Sequence, residues 1–285
     1  RAWRFCVSAC PYKKPYYNWA NGKSEKCIFC YPRTETGQPN ACAHACTGRI
    51  RFVGVLFYDA DRIEEVAKTP DERLVEAMRD IILDPNDPKV IEEAKKQGIS
   101  DNWIVAAQQS PAYMLFKKWR IAMPNHPEFR TVPMNFYIPP LSPVLHNVKA
   151  DTGGMFDGET LDFFYAIDKM RVPVRYLANM LSAGNEQVVI ESLKKQMAVR
   201  LWVRQQRVGD VGESQAKAAL SAVGLTPEDA FEIYKLVSLA TFQERFVIPE
   251  THRESMSTVD PRTMYEKRGT VGFGNKKQEL ISRQW

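Results

Sequence analysis

The sequence has few features that would support bond chemistry of its own. It lacks a nucleophile beside a general base, a glycine-rich phosphate loop and an internal repeat. No stretch approaches the roughly 18 consecutive apolar residues that a membrane-spanning helix needs. The longest apolar run, around residues 52–58, fits a buried strand. No signal peptide is visible, and because the chain starts at Arg1 and not at Met, we expect further sequence upstream.

Cysteine is absent after position 46, and acidic residues are nearly absent from the part that contains it. Residues 1–51 hold nine Lys and Arg against only Glu25 and Glu35, so their net charge is nine minus two, or +7, compared with +5 for the whole chain. A basic segment can bind nucleic acid, form a solvated face, or offset the negative charge of metal–thiolate clusters. The third interpretation predicts that basic residues accompany the cysteines, as they do here.

The six cysteines occur as three closely spaced pairs. Three, two and three residues separate the members of the pairs, which are Cys6 and Cys10, Cys27 and Cys30, and Cys42 and Cys46. A disulfide framework suits short secreted chains, whereas this chain has a long remainder without cysteine. The last four cysteines could form a tetrahedral zinc site, but it would leave the first two unexplained. Such a zinc-stabilised module would contact nucleic acid or protein through its basic segment.

The third alternative is iron–sulfur ligation. Bacterial ferredoxins hold cubanes with the run C-x2-C-x2-C-x3-C-P, whose last cysteine ligates the other cluster. Cys6, Cys10 and Pro11 match the end of that run. Trp3 stands where the run has its second cysteine, which suggests a three-iron site, and the first would fall immediately before Arg1. Six cysteines cannot complete two cubanes, so either some thiols are spare or upstream residues supply the remainder.

Longer motifs resemble the β subunit of respiratory, membrane-bound nitrate reductase. Around the thiols these are Trp3-Arg4-x-Cys6-x3-Cys10-Pro-Tyr-Lys-Lys, Asn18-Trp19, Gly22-Lys-Ser-Glu-Lys-Cys27-Ile-Phe-Cys30 and Gln38-Pro-x-x-Cys42-x3-Cys46. Further along they are Gly48-Arg-Ile-Arg, Gly54-Val-Leu-x-Tyr-Asp-Ala-Asp, Leu83-Asp-Pro-Asn-Asp-Pro, His126-Pro-Glu-Phe-Arg, Tyr137-Ile-Pro-Pro-Leu-Ser-Pro, Tyr176-Leu-Ala-Asn, Arg245-Phe-Val-Ile-Pro and His252-Arg-Glu. The resemblance covers nearly the whole chain and ends after Met256. The β subunit of nitrite oxidoreductase is similar, and these motifs do not separate the two.

The resemblance implies a set of cofactors and ligands. The family holds three [4Fe-4S] clusters and one [3Fe-4S] cluster in two ferredoxin-like folds. By motif, Cys6 would bind the three-iron cluster beside Trp3, and Cys10 would bind the neighbouring cubane. A second cubane would take Cys27, Cys30 and Cys42. Cys46 would supply one ligand of the third cubane, and the remaining ligands would lie upstream.

The resemblance also implies partners and a location. The subunit would join a molybdenum-pterin catalytic α subunit to a haem b membrane γ subunit. Electrons from quinol would pass through haem and the clusters to nitrate, in anaerobic respiration and nitrate assimilation. Nitrite oxidoreductase would run the reaction in reverse. The complex would lie peripherally on the cytoplasmic face of the inner membrane, with no nucleic-acid partner.

We therefore predict an α+β fold with four regions. Residues 1–58 would be the ferredoxin-like iron–sulfur segment, part of a double ferredoxin-like fold whose N-terminal portion lies upstream. Residues 59–150 would be a helical and proline-rich connection. Residues 151–256, after Gly153-Gly154, would be a mainly helical domain, followed by a tail over 257–285. His44 is expected to support the ligands and not to bind metal itself.

Local signals predict one strand over residues 50–58 and then a series of helices. Asp59 and Pro70 are expected to begin two of the helices. Trp119 is predicted to be buried, and residues 124–143 to form an irregular surface loop. Helices are predicted over 59–68, from 70 onward, and over 90–97, 101–108, 113–123, 174–183, 186–204, 214–223 and 227–241. The apolar faces in two of them comprise Leu74, Val75, Met78 and Ile82, and Val189, Ile190, Leu193, Met197 and Leu201.

Overall fold

The computed structural model describes residues 3–141 and 167–249. The first part consists of short elements joined by turns: α1 (Phe5–Ala9), β1 (Tyr16–Asn18), β2 (Lys23–Glu25), α2 (Tyr31–Thr34) and α3 (Ala41–His44). Strands β1 and β2 form an antiparallel hairpin in which Tyr16 lies opposite Glu25. Gly22 takes a φ of +69° in its turn, which favours glycine. The cysteine pairs are therefore carried by turns and single-turn helices.

A group of helices follows, and most of them begin where local capping signals predict. Asp59 accepts a hydrogen bond from the Asp61 amide at the start of a 3₁₀ turn, Ala60–Arg62. Asp87 accepts in the same way from Lys89. The elements are α4 (Ile63–Lys68), a 3₁₀ turn (Asp71–Arg73), α5 (Leu74–Asp80), α6 (Pro88–Lys96), α7 (Asp101–Gln108) and α8 (Pro111–Tyr113), which continues as a π-helical turn (Met114–Lys118).

A small antiparallel sheet closes this region, in the order β3 (Arg51–Phe52), β5 (Phe136–Tyr137) and β4 (Met123–Pro124). Phe52 and Pro124 both lie opposite Phe136. The predicted strand over 50–58 is thus mostly wrong, since only two residues form a strand and Tyr58 makes an isolated bridge to Ile82. The surface loop predicted over 124–143 is also wrong in part. It contains the central strand, with Phe136 fully buried, and a 3₁₀ turn (Pro127–Phe129).

The helix predicted over 113–123 ends early, at Lys118. The amides of Ile121 and Ala122 both donate to the Leu115 carbonyl, and Arg120 takes a left-handed φ of 57°. The chain therefore turns out of the helix into β4. Trp119 lies at this turn and is buried, as predicted.

The last described region is helical, in agreement with the predicted series. Its elements are a 3₁₀ turn (Ile167–Lys169), α9 (Arg171–Leu181), α10 (Glu186–Arg207), α11 (Glu213–Ala222), α12 (Pro227–Tyr234) with a π-helical extension (Lys235–Leu239), and α13 (Phe242–Arg245). Helix α9 ends at Leu181, two residues before the predicted end, and the chain leaves it through Ala183 and Gly184, with φ of 53° and +89°. The predicted apolar faces are buried, except that Ile190 is only partly covered.

One hydrophobic core runs from Phe52 to Ile233 and joins the small sheet to the helices on both sides of residues 142–166. No helix among the described residues is long and apolar enough to span a membrane. The predicted boundary at Gly153-Gly154 and the tail after Met256 lie outside the described residues. The division into four regions remains a prediction.

Candidate metal centre

The first cysteine pair lies on and just after helix α1. Cys6 is exposed within the helix, and Cys10 is its C-terminal cap in extended conformation. The backbone N–H of Lys14 has the largest effect on the Cys10 thiol. Together with the amides of Tyr12 and Lys13, it holds the Cys10 pKa below its ordinary value, against the effect of burial. The turn after Cys10 therefore favours the thiolate, which is the form that binds metal.

The second pair is presented by a turn with unusual backbone angles. Phe29 and Cys30 both adopt the left-handed region, with φ of 58° and 50°. Non-glycine residues rarely take this conformation, and clusters of such residues are typical of functional sites. The Phe29 amide donates to the Cys27 sulfur at 3.4 Å, and the Ala41 amide donates to the Cys30 sulfur at 3.5 Å. The first bond lies within the turn, and the second connects the turn to the start of α3.

The third pair lies on α3 and directly after it, and these thiols share a neighbour with Cys27. That neighbour is Tyr137 in the central strand β5. Burial raises the Tyr137 pKa, the Arg51 guanidinium opposes that rise, and the thiolates of Cys42, Cys27 and Cys46 add to it. The structure thus brings the second and third pairs together, with Tyr137 beside them.

Basic and aromatic side chains surround the thiols. Arg33 contacts the His44 ring nitrogen at 3.2 Å, and the His44 ring packs edge-on against Phe242. His44 therefore contacts both α2 and the last helix, and its role beside the ligands stays a prediction. Arg49, three residues after Cys46, donates to the carbonyls of Ser238 and Ala240, both at 3.2 Å.

A second, smaller core fastens the cysteine segment to the end of the described chain. Ala43, Val53 and Phe246 are buried together, and Phe29 and Ile248 pack against them. Phe29 lies between Cys27 and Cys30, and Ala43 lies beside Cys42. The packing of residues 242–248 therefore determines how the thiols of both pairs are held.

Trp3 is placed at the surface. Its side chain is 79% exposed and meets only the edge of Phe5 at 6.1 Å among the ring contacts described for this part of the chain. Trp19 is similarly exposed, and the Arg4 guanidinium lies 4.8 Å from the Trp19 ring. Neither indole supplies a metal ligand.

The donor chemistry of these residues fits iron–sulfur clusters. All six thiols are free, and sulfur accepts backbone N–H bonds of the kind that tune such clusters. Within residues 3–141 and 167–249, no three thiol, imidazole or carboxylate groups converge closely enough to hold a single metal ion.

Two residues of this region could not be identified from the cysteine pattern. Tyr137 and Arg245 belong to motifs that carry the family resemblance, but nothing in their spacing relates them to the thiols. They reach the site through β5 and α13. The one available signal in the sequence was that both residues belong to motifs of the family.

Two family models match the chain. Residues 1–56 match the one described as "4Fe-4S dicluster domain", which includes all six cysteines. Residues 141–227 match the one described as "Respiratory nitrate reductase beta C-terminal". The two matches lie in the same order as the cysteine segment and the helical region.

Curated relatives agree with both matches. The chain is 52% identical over 255 residues to the respiratory nitrate reductase 2 beta chain of Escherichia coli (strain K12), covering 89% of this chain and 48% of that one. It is 45% identical over 274 residues to the nitrate reductase beta chain of Bacillus subtilis (strain 168), covering 96% and 54%. The chain thus spans about half the length of these relatives. The respiratory nitrate reductase beta chain of Bradyrhizobium sp is 39% identical over 252 residues, covering 88% of this chain and 70% of that one. The chain belongs to the family of respiratory nitrate reductase beta chains.

Proposed function

We propose that the chain is an iron–sulfur electron-transfer part of a respiratory nitrate reductase, with no catalytic residues of its own. The observation that carries this proposal is the dicluster match over residues 1–56, which contains every cysteine. The sequence identity of about 50% to two nitrate reductase beta chains agrees with it. When bound, iron–sulfur clusters supply one-electron transfer. The residues of this chain hold the sulfurs in place and set the surrounding charge.

The proposed ligands follow the family motifs. Cys6 serves a [3Fe-4S] cluster at the position where Trp3 replaces a thiol, and Cys10 serves a neighbouring [4Fe-4S] cluster. One cubane takes Cys27, Cys30 and Cys42. The hydrogen bond from the Ala41 amide to the Cys30 sulfur, which joins the Cys27–Cys30 turn to α3, supports this grouping. Cys46 serves the third [4Fe-4S] cluster, and the whole protein holds these clusters in two ferredoxin-like folds.

Backbone and side chains perform two tasks in this proposal. The amides after Cys10 favour its thiolate over its thiol, and two further amides donate hydrogen bonds to the sulfurs of Cys27 and Cys30. The excess of Lys and Arg over residues 1–51 offsets the negative charge that metal–thiolate clusters bring. Both effects stabilise a reduced cluster, which carries one more negative charge than the oxidised cluster. They therefore make its reduction potential higher than it would be in an apolar pocket without charges or N–H donors.

The partners and location are also part of the proposal. The beta chain joins a molybdenum-pterin α subunit, where nitrate is reduced to nitrite, to a haem b γ subunit that oxidises quinol. It lies on the cytoplasmic face of the cell membrane and reaches the membrane only through the γ subunit. The names of the relatives favour nitrate reduction as the direction.

A Cys46→Ala variant tests the electron-transfer role. We expect the natural protein, purified with its partners, to lose quinol-dependent nitrate reduction and one cubane signal in electron paramagnetic resonance. A Ser24→Ala variant in the exposed hairpin is the control and should keep both. Full quinol-dependent activity in the cysteine variant would contradict the proposal.

A Trp3→Cys variant tests the three-iron site separately. The new thiolate should convert the three-iron cluster into a fourth cubane. The three-iron signal of the oxidised protein should then disappear, and the iron content should rise by one per protein. Trp19→Cys is a matched control, because Trp19 is 76% exposed and Trp3 is 79% exposed, but only Trp3 occupies a ligand position. A wild-type spectrum without any three-iron signal would refute this assignment.

A further inference from the structure

Arg245 is a buried cation at the end of α13. It is only 6% exposed. Its guanidinium carbon lies 4.9 Å from the centre of the Phe246 ring and 5.4 Å from that of Phe52. Both rings belong to the hydrophobic clusters that hold the cysteine segment. A charge in such surroundings is costly unless a partner compensates it.

The described residues supply Arg245 with almost no compensation. One terminal nitrogen donates to the Arg51 carbonyl at 3.5 Å, and Nε has no hydrogen-bond partner. Among residues 3–141 and 167–249, no carboxylate forms an ion pair with it. Arg79 is the contrasting case, because it is 2% exposed yet pairs with Glu76 and reaches the carbonyls of a neighbouring turn.

Arg245 lies against the segment that carries Cys46, because it donates to the Arg51 carbonyl and stacks on Phe246, which is buried together with Ala43. Burial and the neighbouring Arg49 lower the Arg245 pKa, and the Cys46 thiolate acts in the opposite direction. Arg49 is itself fixed by the carbonyls of Ser238 and Ala240, which lie just before α13. Two guanidinium groups therefore stand beside one proposed ligand, and only one of them is buried.

We propose that Arg245 is a positioning residue that acts through Cys46 and raises the reduction potential of the cluster that Cys46 ligates. This inference rests on the proposed function. Reduction adds one negative charge to that cluster, and no bond forms or breaks. A fixed positive charge in a poorly screened apolar environment attracts the reduced form more strongly than the oxidised form. The negative charge of the cluster would then offset the buried positive charge of Arg245, which the described residues do not offset with a carboxylate.

The test is a redox titration followed by electron paramagnetic resonance on the natural protein with its partners. A Cys46→Ser variant first identifies which signal belongs to the Cys46 cluster. Arg245→Met removes the charge and keeps an apolar side chain of similar length. We expect the equilibrium constant for reducing that one cluster to fall at least tenfold, which is 59 mV for a one-electron couple. The other clusters should be unchanged.

Arg245→Lys distinguishes charge from packing. It should recover more than half of the shift, because it keeps the positive charge but not the planar stacking on both rings. Arg62→Met is the control, since it removes one exposed arginine paired with Glu65 and should leave every potential unchanged. Equal shifts in the Lys and Met variants, or no shift in either, would overturn the inference.

Iron and sulfide contents separate this inference from the function on which it rests. A wild-type protein without iron or sulfide would end the proposed function itself. Normal cluster content with an unchanged potential in Arg245→Met would end only the inference. If Arg245→Met cannot assemble the cluster, Arg245→Gln and Arg245→Lys decide: a lower potential in the Gln variant than in the Lys variant supports the inference, and equal potentials overturn it.

Discussion

Tyr137 is the side chain through which the small sheet reaches the thiols. Its ring stacks with the Arg51 guanidinium at 5.3 Å. Burial, followed by the nearby thiolates, raises its pKa in opposition to Arg51. The phenol therefore stays protonated at physiological pH and keeps an O–H group to donate. The dipole of this neutral phenol lies beside the thiolates of Cys42, Cys27 and Cys46, and polar groups close to the sulfurs affect the potential of a cluster they hold.

A Tyr137→Phe variant should lower the potential of one cubane by less than Arg245→Met does, because it removes a dipole and not a full charge. Redox titration of the natural protein measures this shift, and thermal unfolding should change little because the ring remains. Tyr176→Phe is the control, since that side chain is exposed. A shift of equal size in the control would contradict the assignment of Tyr137.

The buried phenol of Tyr113 leads to a second prediction, which concerns how the free energy of unfolding depends on pH. Burial raises its pKa to about 12, helped by a hydrogen bond to Asp84. The folded protein thus favours the neutral phenol. This stabilisation is complete below the ordinary tyrosine pKa near 10 and is lost as pH rises from about 10 to about 12, by roughly 3 kcal/mol.

Denaturant unfolding of wild-type and Tyr113→Phe proteins between pH 9 and 12 measures that loss. The wild-type free energy of unfolding should fall more steeply than that of the variant, which has no phenol to ionise. Parallel curves would show that Tyr113 ionises in the folded state as easily as in the unfolded state.

At the scale of elements, the helices could be predicted and the sheet could not. Asp59, Asp87 and Gly184 act within a few residues of themselves, so their signals are visible in local sequence. The end of the helix after Lys118 depends on Arg79, which donates to the carbonyls of Phe116 and Ala122, about 40 residues further along the chain. No local pattern carries that information, so the prediction over 113–123 ran too far.

An Arg79→Met variant should unfold this turn. It removes the donors of the buried Phe116 and Ala122 carbonyls and one of the two arginines paired with Glu76. We expect the free energy of unfolding to fall by roughly 3 kcal/mol or more, because unsatisfied buried groups retain their desolvation cost.

Denaturant titration measures this change. Arg62→Met is the matched control, and loss of its exposed pair with Glu65 should cost less than about 1 kcal/mol. A cost for Arg79→Met that is no larger than the control would contradict its role in holding the turn.

Across the whole molecule, the site is assembled from parts that are far apart in sequence. Spacing singles out the six cysteines as candidate metal ligands, because such ligands recur at short, fixed intervals. Tyr137 and Arg245 could not be found in this way, since they join the thiols only after the sheet and α13 have packed. The cysteine segment and the end of the described chain share a small core, formed by Ala43, Val53 and Phe246. The cysteine segment therefore depends on the last helix for part of its packing.

The central claim is that the cysteines of the opening segment bind iron–sulfur clusters. Its most direct test is the measurement of iron, acid-labile sulfide and zinc in the natural protein purified with its partners. We predict iron and sulfide in near-equal amounts in the wild-type protein. The iron content should fall when Cys6, Cys10, Cys27, Cys30, Cys42 or Cys46 is replaced. Stoichiometric zinc without sulfide would contradict it.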